Sequence, residues 1–238
     1  MSNCNNCNTL KTKISVAIDG PSGAGKSTVA RLVAKKLGFL YVDTGAMYRA
    51  LTLEALKSGV DLYDEQRVLE LAQKSKITLD PDENNFLRVF VNGEDVTEKI
   101  RQLEISRSVS YTARLPKVRE YMVSQQRRMA KHGRIVMEGR DIGTVVLPNA
   151  EVKVFLTASQ PTRARRRQRQ LTNENVYVNL EQLNQEIATR DYLDSSRTTA
   201  PLVPAQDAKV IDSSSLSIEQ VVELIVKKVK LYGKQSFR

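Results

Sequence analysis

The sequence predicts a three-layer α/β/α fold with a central parallel sheet of five strands, and three observations carry that prediction. Short β-branched apolar runs alternate with segments of helical apolar spacing, the pattern of strands covered by helices on both faces. The first such run ends in a glycine-punctuated loop that opens directly into a helical segment. Apolar residues at 41% and charged residues at 27% are the usage of a globular domain, and no stretch reaches the roughly 18 unbroken apolar residues of a membrane helix.

Taken in order, residues 1–12 read as a disordered tail, Asn-rich and without the apolar centre of a secretory signal. Residues 14–18 form a short β-branched run and read as a buried strand. After the loop at 20–25, residues 26–37 place Val29, Leu32, Val33 and Leu37 on one helical stripe, closed by Gly38 as a C-terminal cap. Residues 39–42 are a second strand, and 44–57 a second helix that stops near Gly59. Between about 72 and 111 the texture changes. Residues 77–79 and 87–91 alternate like strands, and Asn92-Gly93 is a dipeptide favoured in tight hairpins; a small antiparallel β insert is expected. A long helix should run from Pro116 to about Lys131, with proline in its first turn. Residues 134–137 and 152–156 are two further strands, and the arginine-rich run 163–169 and a stretch near 180–192 are helical. Residues 209–211 make the last strand, and the closing helix starts near Ser217, whose spacing to Gln220 is that of a capping box. The 238 residues thus form one domain from 13 to 238 behind the tail.

The net charge of +10 calls for an anionic partner; nucleic acid, a membrane surface and a small polyphosphate all qualify. Two cysteines exclude a disulfide framework, and Cys4-x-x-Cys7 lacks the four ligands of a zinc site. A cytoplasmic protein is expected.

Gly20-Pro21-Ser22-Gly23-Ala24-Gly25-Lys26-Ser27 fits G-x-x-x-x-G-K-[ST] at every fixed position, between a strand and a helix. Glycines let backbone N–H groups turn inward around phosphates, where a Cβ would clash. Lys26 is suited to the β/γ oxygens and Ser27 to Mg²⁺, with Thr28 next in the helix whose N-terminal end attracts anions. The motif places the chain in the P-loop NTPase class. No Asn-Lys-x-Asp motif, D-x-x-G switch or Leu-Ser-Gly-Gly-Gln signature is present, which removes GTPases and ABC ATPases and leaves chiefly kinases of small molecules and nucleotides.

His132, the single histidine, sits beside Gly133 at a helix end, so no Ser–His or Cys–His nucleophile is available. Transfer to a phosphate acceptor needs none: a nucleoside monophosphate has a second pKa near ~6, and its attacking oxygen is already ionised at pH 7. Such an enzyme must instead hold two repelling anions together with Lys, Arg and Mg²⁺. Arg163, Arg166 and Arg167 share one helical face at i, i+3 and i+4. They read as a lid clamping the transferring group, as a nucleic-acid stripe, or as a solvated basic face; no aromatic residue is interleaved to favour nucleic acid.

Five segments together resemble the bacterial cytidylate kinase family: Asp19-Gly-Pro-Ser-Gly-Ala-Gly-Lys26, Asp43-Thr-Gly-Ala-Met-Tyr-Arg49, Glu138-Gly-Arg-Asp-Ile-Gly-Thr144, Arg190-Asp191 with Asp194 and Arg197, and Ala200-Pro-Leu-Val-Pro204. The resemblance spans about residues 13–231. It implies transfer of the γ-phosphoryl group of ATP to CMP or dCMP, giving ADP and CDP or dCDP. It places Thr44, Arg49, Arg140 and Arg197 around the acceptor's phosphate, Ser110, Arg119 and Asp141 at the cytosine, and Arg190 and Asp194 near the sugar. Lys26, Arg140, Arg163, Arg166 and Arg167 would act on the transferring group, and Mg²⁺ would be the cofactor. The chemistry of the base agrees: a carboxylate accepts from the cytosine amino group and an arginine donates to N3 and O2. Asp141 and Asp194 read equally as helix caps, and Arg119 as an exposed basic residue.

The resemblance further implies a monophosphate-binding region at about 43–132, holding the β insert at about 72–111, and a lid at about 157–172 that closes over ATP. The expected partners are small nucleotides, without nucleic acid or membrane, and the expected state is a monomer. Competing readings are a kinase preferring UMP or AMP, and an ATP-dependent RNA-binding protein.

Overall fold

The computed structural model describes residues 13–83 and 86–235; the tail expected at 1–12, with Cys4 and Cys7, lies outside the described residues. β1 (Ser15–Asp19) leads through the glycine loop into α1 (Lys26–Leu37), then β2 (Leu40–Asp43) and α2 (Thr44–Lys57). α1 is closed by Gly38, whose left-handed backbone lets its N–H reach the carbonyls of Ala34 and Lys35. α3 (Glu65–Lys74) follows, capped by Asp64 accepting from the Arg67 N–H. Next comes an antiparallel sheet of β3 (Ile77–Pro81), β4 (Leu87–Val91) and β5 (Glu94–Asp95). Asn92 and Gly93 both take positive φ there, the backbone that a tight hairpin demands.

This sheet is smaller than the sequence suggests. Residues 99–101 are a 3₁₀ turn and Leu103–Ala113 is a helix, α4, so the antiparallel strands end at Asp95. Ile105, Val109 and Thr112 of α4 form a short stripe, buried at helical spacing against α2. α5 (Pro116–Met129) matches the expected long helix. β6 (Ile135–Gly139), a single π-helical turn (Ile142–Val146), β7 (Val152–Thr157), α6 (Gln160–Asn173), α7 (Leu180–Ser195), β8 (Lys209–Asp212) and α8 (Ile218–Gln235) complete the chain. The capping box at the start of α8 is formed: Ser217 N–H donates to Gln220 Oε1 at 2.8 Å and Gln220 N–H to Ser217 Oγ at 3.2 Å.

The main sheet runs β2-β6-β1-β7-β8, every pair parallel. α1 and α8 cover one face through Val29, Val33, Val221, Ile225 and Val229 packed on Ile14, Val16, Ile18 and Val154. The other face, Ala17, Ile135 and Met137, is covered by Val123 of α5 with Ile142 and Val146 of the π turn. The chain leaves β1 toward β2 on one side and later returns past it to β7 on the other. Open α/β sheets bind ligands at the carboxyl ends of the strands beside such a reversal. Among the described residues no helix is long and apolar enough to cross a membrane.

Candidate active site

The glycine loop stands at that reversal. Gly20 has φ +146, and a Cβ there would lie 1.9 Å from the Leu156 carbonyl oxygen, so no other residue fits. Gly25 takes φ +93 and starts α1 without a side-chain cap. No acidic residue stands in the first turn, which leaves its N–H groups and positive dipole end open to an anion. Lys26 is buried and donates from Nζ to the Pro21 carbonyl at 2.8 Å, folding across the loop. Burial, reinforced by Arg140 nearby, pulls its pKa down to about 7; an anion at the loop would reverse that. Ser27 and Thr28 are exposed at the mouth.

Glu138 faces Lys26 and Ser27 from the end of β6. It accepts from the Tyr41 hydroxyl at 2.6 Å, and burial with Asp43 close by pushes its carboxyl up to about 7. Thr44 donates its hydroxyl to the Glu138 main-chain carbonyl at 2.7 Å. Asp43 caps α2 by accepting from the Ala46 N–H and holds Arg49 at 2.9 Å.

Past Glu138 the arginines gather. Arg140 Nε donates to Asp194 Oδ2 at 2.8 Å. Burial would raise the Asp194 pKa, but Arg140, Arg190 and Arg197 outweigh it and hold the carboxyl below its ordinary value. Burial, then the repulsion of Arg140, with Arg49 and Arg167 adding to it, lowers Arg190 to about 10 although Asp194 opposes them. Arg49, Arg140 and Arg167 therefore lie near enough to repel Arg190; Asp43 pairs with Arg49 and Asp194 with Arg140, while Arg167 and Arg190 have no ion pair among the described residues. Beside them, Arg119 of α5 and Asp141 form a buried ion pair. Arg119 Nη1 also donates to the Ala113 carbonyl at 2.8 Å, and Arg197 reaches the same oxygen at 3.4 Å. Ser110 is buried on α4. Buried polar atoms normally find partners, yet the Tyr48 hydroxyl, Arg119 Nε, Arg190 Nε, Arg197 Nη2 and Asp191 Oδ1 have none among the described residues. The Tyr48 ring lies under Arg119, 5.5 Å from its guanidinium carbon.

The three arginines of α6 do not act alike. Arg163 is buried, donating to the Ala158 carbonyl at 2.9 Å and the Ser22 carbonyl at 3.1 Å while pairing with Asp191 at 2.7 Å. Arg166 donates to the Ser213 carbonyl at 2.7 Å, the Ser213 hydroxyl at 3.0 Å and the Ala24 carbonyl at 3.4 Å. Both brace the glycine loop from outside. Arg167, bonded to Gln170 at 2.9 Å, belongs electrostatically with Arg49 and Arg190.

The structure thus brings Thr44, Arg49, Arg119, Arg140, Asp141, Arg167, Arg190, Asp194 and Arg197 together beside the glycine loop, with Arg163 and Arg166 behind it and Ser110 buried on α4. Asp141 does not cap the turn it precedes, because its carboxylate is spent on Arg119. His132 is exposed beyond α5, away from this cluster. Sequence reading assigned no role to Asp19, Glu138, Tyr48 or Asp191. For Asp19 and Glu138 a signal existed, since each is a carboxylate at the end of an apolar strand, Asp19 directly before the glycine loop.

A family model described as cytidylate kinase matches residues 16–231. A Pelotomaculum thermopropionicum protein named cytidylate kinase is 56% identical over 90% of this chain and 95% of its own. One of that name from Geobacillus kaustophilus is 54% identical over 91% and 96%. A third, from Caldanaerobacter subterraneus, is 51% identical over 93% and 96%.

Proposed function

The chain belongs to the cytidylate kinase family, and from that premise we propose that this crevice transfers the γ-phosphoryl group of ATP to CMP or dCMP, giving ADP and CDP or dCDP. The observation that carries the reading is the loop at Gly20–Ser27, uncapped at the start of α1, beside Arg167 and Arg190, which have no ion pair among the described residues, with Arg49 and Arg140 next to them. One end suits a triphosphate and the other a monophosphate.

Residues 20–28 would hold ATP, the loop N–H groups and Lys26 taking the phosphates. Lys26 would leave the Pro21 carbonyl and regain its charge against them. Mg²⁺ fits the donors present: the Ser27 hydroxyl and Glu138 carboxyl are hard oxygen ligands, and Glu138, held near neutrality by burial, gains a partner for its charge. Bound there, the ion would neutralise charge on the β and γ oxygens. Thr44, Arg49, Arg140 and Arg197 would hold the acceptor phosphate, whose ionised oxygen attacks without a general base. Arg167 would meet the transferring group, and Arg163 and Arg166 would keep the loop in shape for it. Ser110 and the Arg119–Asp141 pair would read cytosine, while Arg190 and Asp194 would face the sugar. Uracil turns an oxygen toward Asp141, and a buried mismatch of this kind costs up to ~10⁴ in discrimination; this argues against a UMP-preferring kinase.

Arg163 and Arg166 fasten the start of α6, so closure over ATP would come from residues 168–179 beyond them and exclude water from the transfer. We take the enzyme to be a cytoplasmic monomer acting on free nucleotides, not on nucleic acid or membrane. An ADP-release assay with Mg-ATP against CMP, dCMP, UMP and AMP tests the reading. Turnover confined to CMP and dCMP supports it. Equal turnover of UMP removes the role given to Asp141 and Arg119, and ATP hydrolysis stimulated by RNA without a phosphorylated product overturns the whole.

A further inference from the structure

Asp19 ends β1 at the foot of the glycine loop and is almost wholly buried, yet its hydrogen bonds go elsewhere. Oδ1 accepts from the Ile142 N–H at 2.8 Å and Oδ2 from the Gly143 N–H at 2.7 Å, residues more than 120 positions away. Those N–H groups open the π-helical turn Ile142–Val146, where the backbone leaves donors without partners inside the turn. Asp141, next to the turn, would ordinarily cap it, but makes no capping bond because its carboxylate pairs with Arg119. Asp19 supplies the cap from a neighbouring strand instead. Register makes this possible, since Asp19 stands opposite Gly139 of β6 and Arg140-Asp141 bridges the two. A Cβ on Gly143 would meet Asp19 Oδ2 at 3.4 Å, an ordinary contact, and Lys153 Cδ more tightly at 3.2 Å. A Cβ on Gly139 would lie 2.6 Å from Thr44 Oγ1.

We infer that Asp19 is a positioning residue for recognition of the acceptor: by capping the 142–146 turn it fixes Arg140 and Asp141, although it borders the loop that holds the donor. The inference rests on the proposed roles of Arg140 and Asp141 toward CMP. It assigns to the donor loop's border a function in choosing the acceptor. Among the described residues the Asp19 carboxylate accepts no hydrogen bond from the loop itself, and its charge gives Lys26 only minor support, so ATP binding should depend on it less than acceptor binding does.

The test is Asp19→Asn, nearly isosteric, in which the amide NH₂ faces one of the two N–H groups and leaves a buried donor unpaired. The expected result is a KM for CMP raised about tenfold or more, the scale of one lost buried hydrogen bond. The CMP-over-UMP ratio of kcat/KM should shrink, with KM for ATP within about twofold of wild type. A purely structural role would lower kcat alone, through loss of active enzyme, and leave both KM values and the ratio unmoved; that outcome overturns the inference. A rise in KM for ATP equal to or larger than that for CMP overturns it too. Asp19→Ser, which keeps one side-chain oxygen but removes the two-pronged cap, should shift KM for CMP in the same direction and decides the matter if Asp19→Asn does not fold. Asp141→Asn is measured in parallel. If it impairs CMP use and Asp19→Asn does not, the positioning inference alone fails; if neither does, the proposed role of Asp141 fails with it.

Discussion

Arg163 donates to the main-chain oxygen of Ser22 at 3.1 Å, so a side chain of α6 holds a carbonyl of the glycine loop. The same guanidinium pairs with Asp191 on α7, adjacent to Arg190. Arg166 repeats the device at Ala24, sharing Ser213, whose hydroxyl also donates to that carbonyl at 3.2 Å. Loop carbonyls turned outward to these donors leave the N–H groups facing the crevice, which suits an anion. Arg163→Ala should therefore loosen the loop: kcat/KM for ATP is expected to fall about 10–100-fold, as when one well-aimed donor set is lost, with KM for CMP changing less. Steady-state kinetics with each substrate varied in turn checks this, and a change confined to CMP would contradict it.

Lys26→Ala should keep the fold, because among the described residues the Lys26 side chain makes one hydrogen bond, to Pro21, and no ion pair. Transfer should drop by a factor on the order of 10²–10³, read by ADP release, with a melting temperature close to wild type. Near-normal turnover would remove the loop from the active site.

Asp141→Asn replaces a pure acceptor by a group with both donors and acceptors. The CMP-over-UMP ratio of kcat/KM should fall roughly 10–100-fold, while KM for ATP holds. A variant with unchanged selectivity would mean that the Arg119–Asp141 pair is only a buried strut.

Burial pushes the Asp19 carboxyl up to about 6, against the two N–H bonds that lower it. In the unfolded chain its pKa is about 3.9, so the folded protein binds more protons between about pH 4 and 6. The group's contribution is full below about pH 4 and is lost as pH rises through about 6. Wild type should accordingly gain roughly 1 kcal/mol of stability over Asp19→Asn as pH falls from 7 to 5. Urea unfolding of both proteins at pH 7, 6 and 5 measures the difference. Parallel curves would place Asp19 in contact with solvent.

Much of the fold was legible because its signals are contiguous. The apolar run of β1, the glycines and the stripe of α1 sit within one stretch of chain, and periodicity with Gly38 marks where the helix ends. Asn92-Gly93 announced its hairpin in the same way. α3 and α4 went unread although each carries an apolar stripe, Val68 with Ala72 in α3 and Ile105 with Val109 in α4; the stripes are short, and α5 and α2 are what cover them.

By itself the sequence determined the phosphate loop, the five strands of the main sheet with α1, α2, α5, α6, α7 and α8, and the residue types around the site, since each depends on neighbours a few positions apart. Tertiary structure alone decided that Asp19 caps a turn 123 positions distant and that Arg163 and Arg166 turn to the loop's carbonyls. It also decided that Glu138 faces Lys26 and that Tyr48 lies beneath Arg119. The physical reason is that a hydrogen bond or buried charge is settled by what the parallel sheet sets beside it. β1 lies between β6 and β7, whose residues come from the far half of the chain.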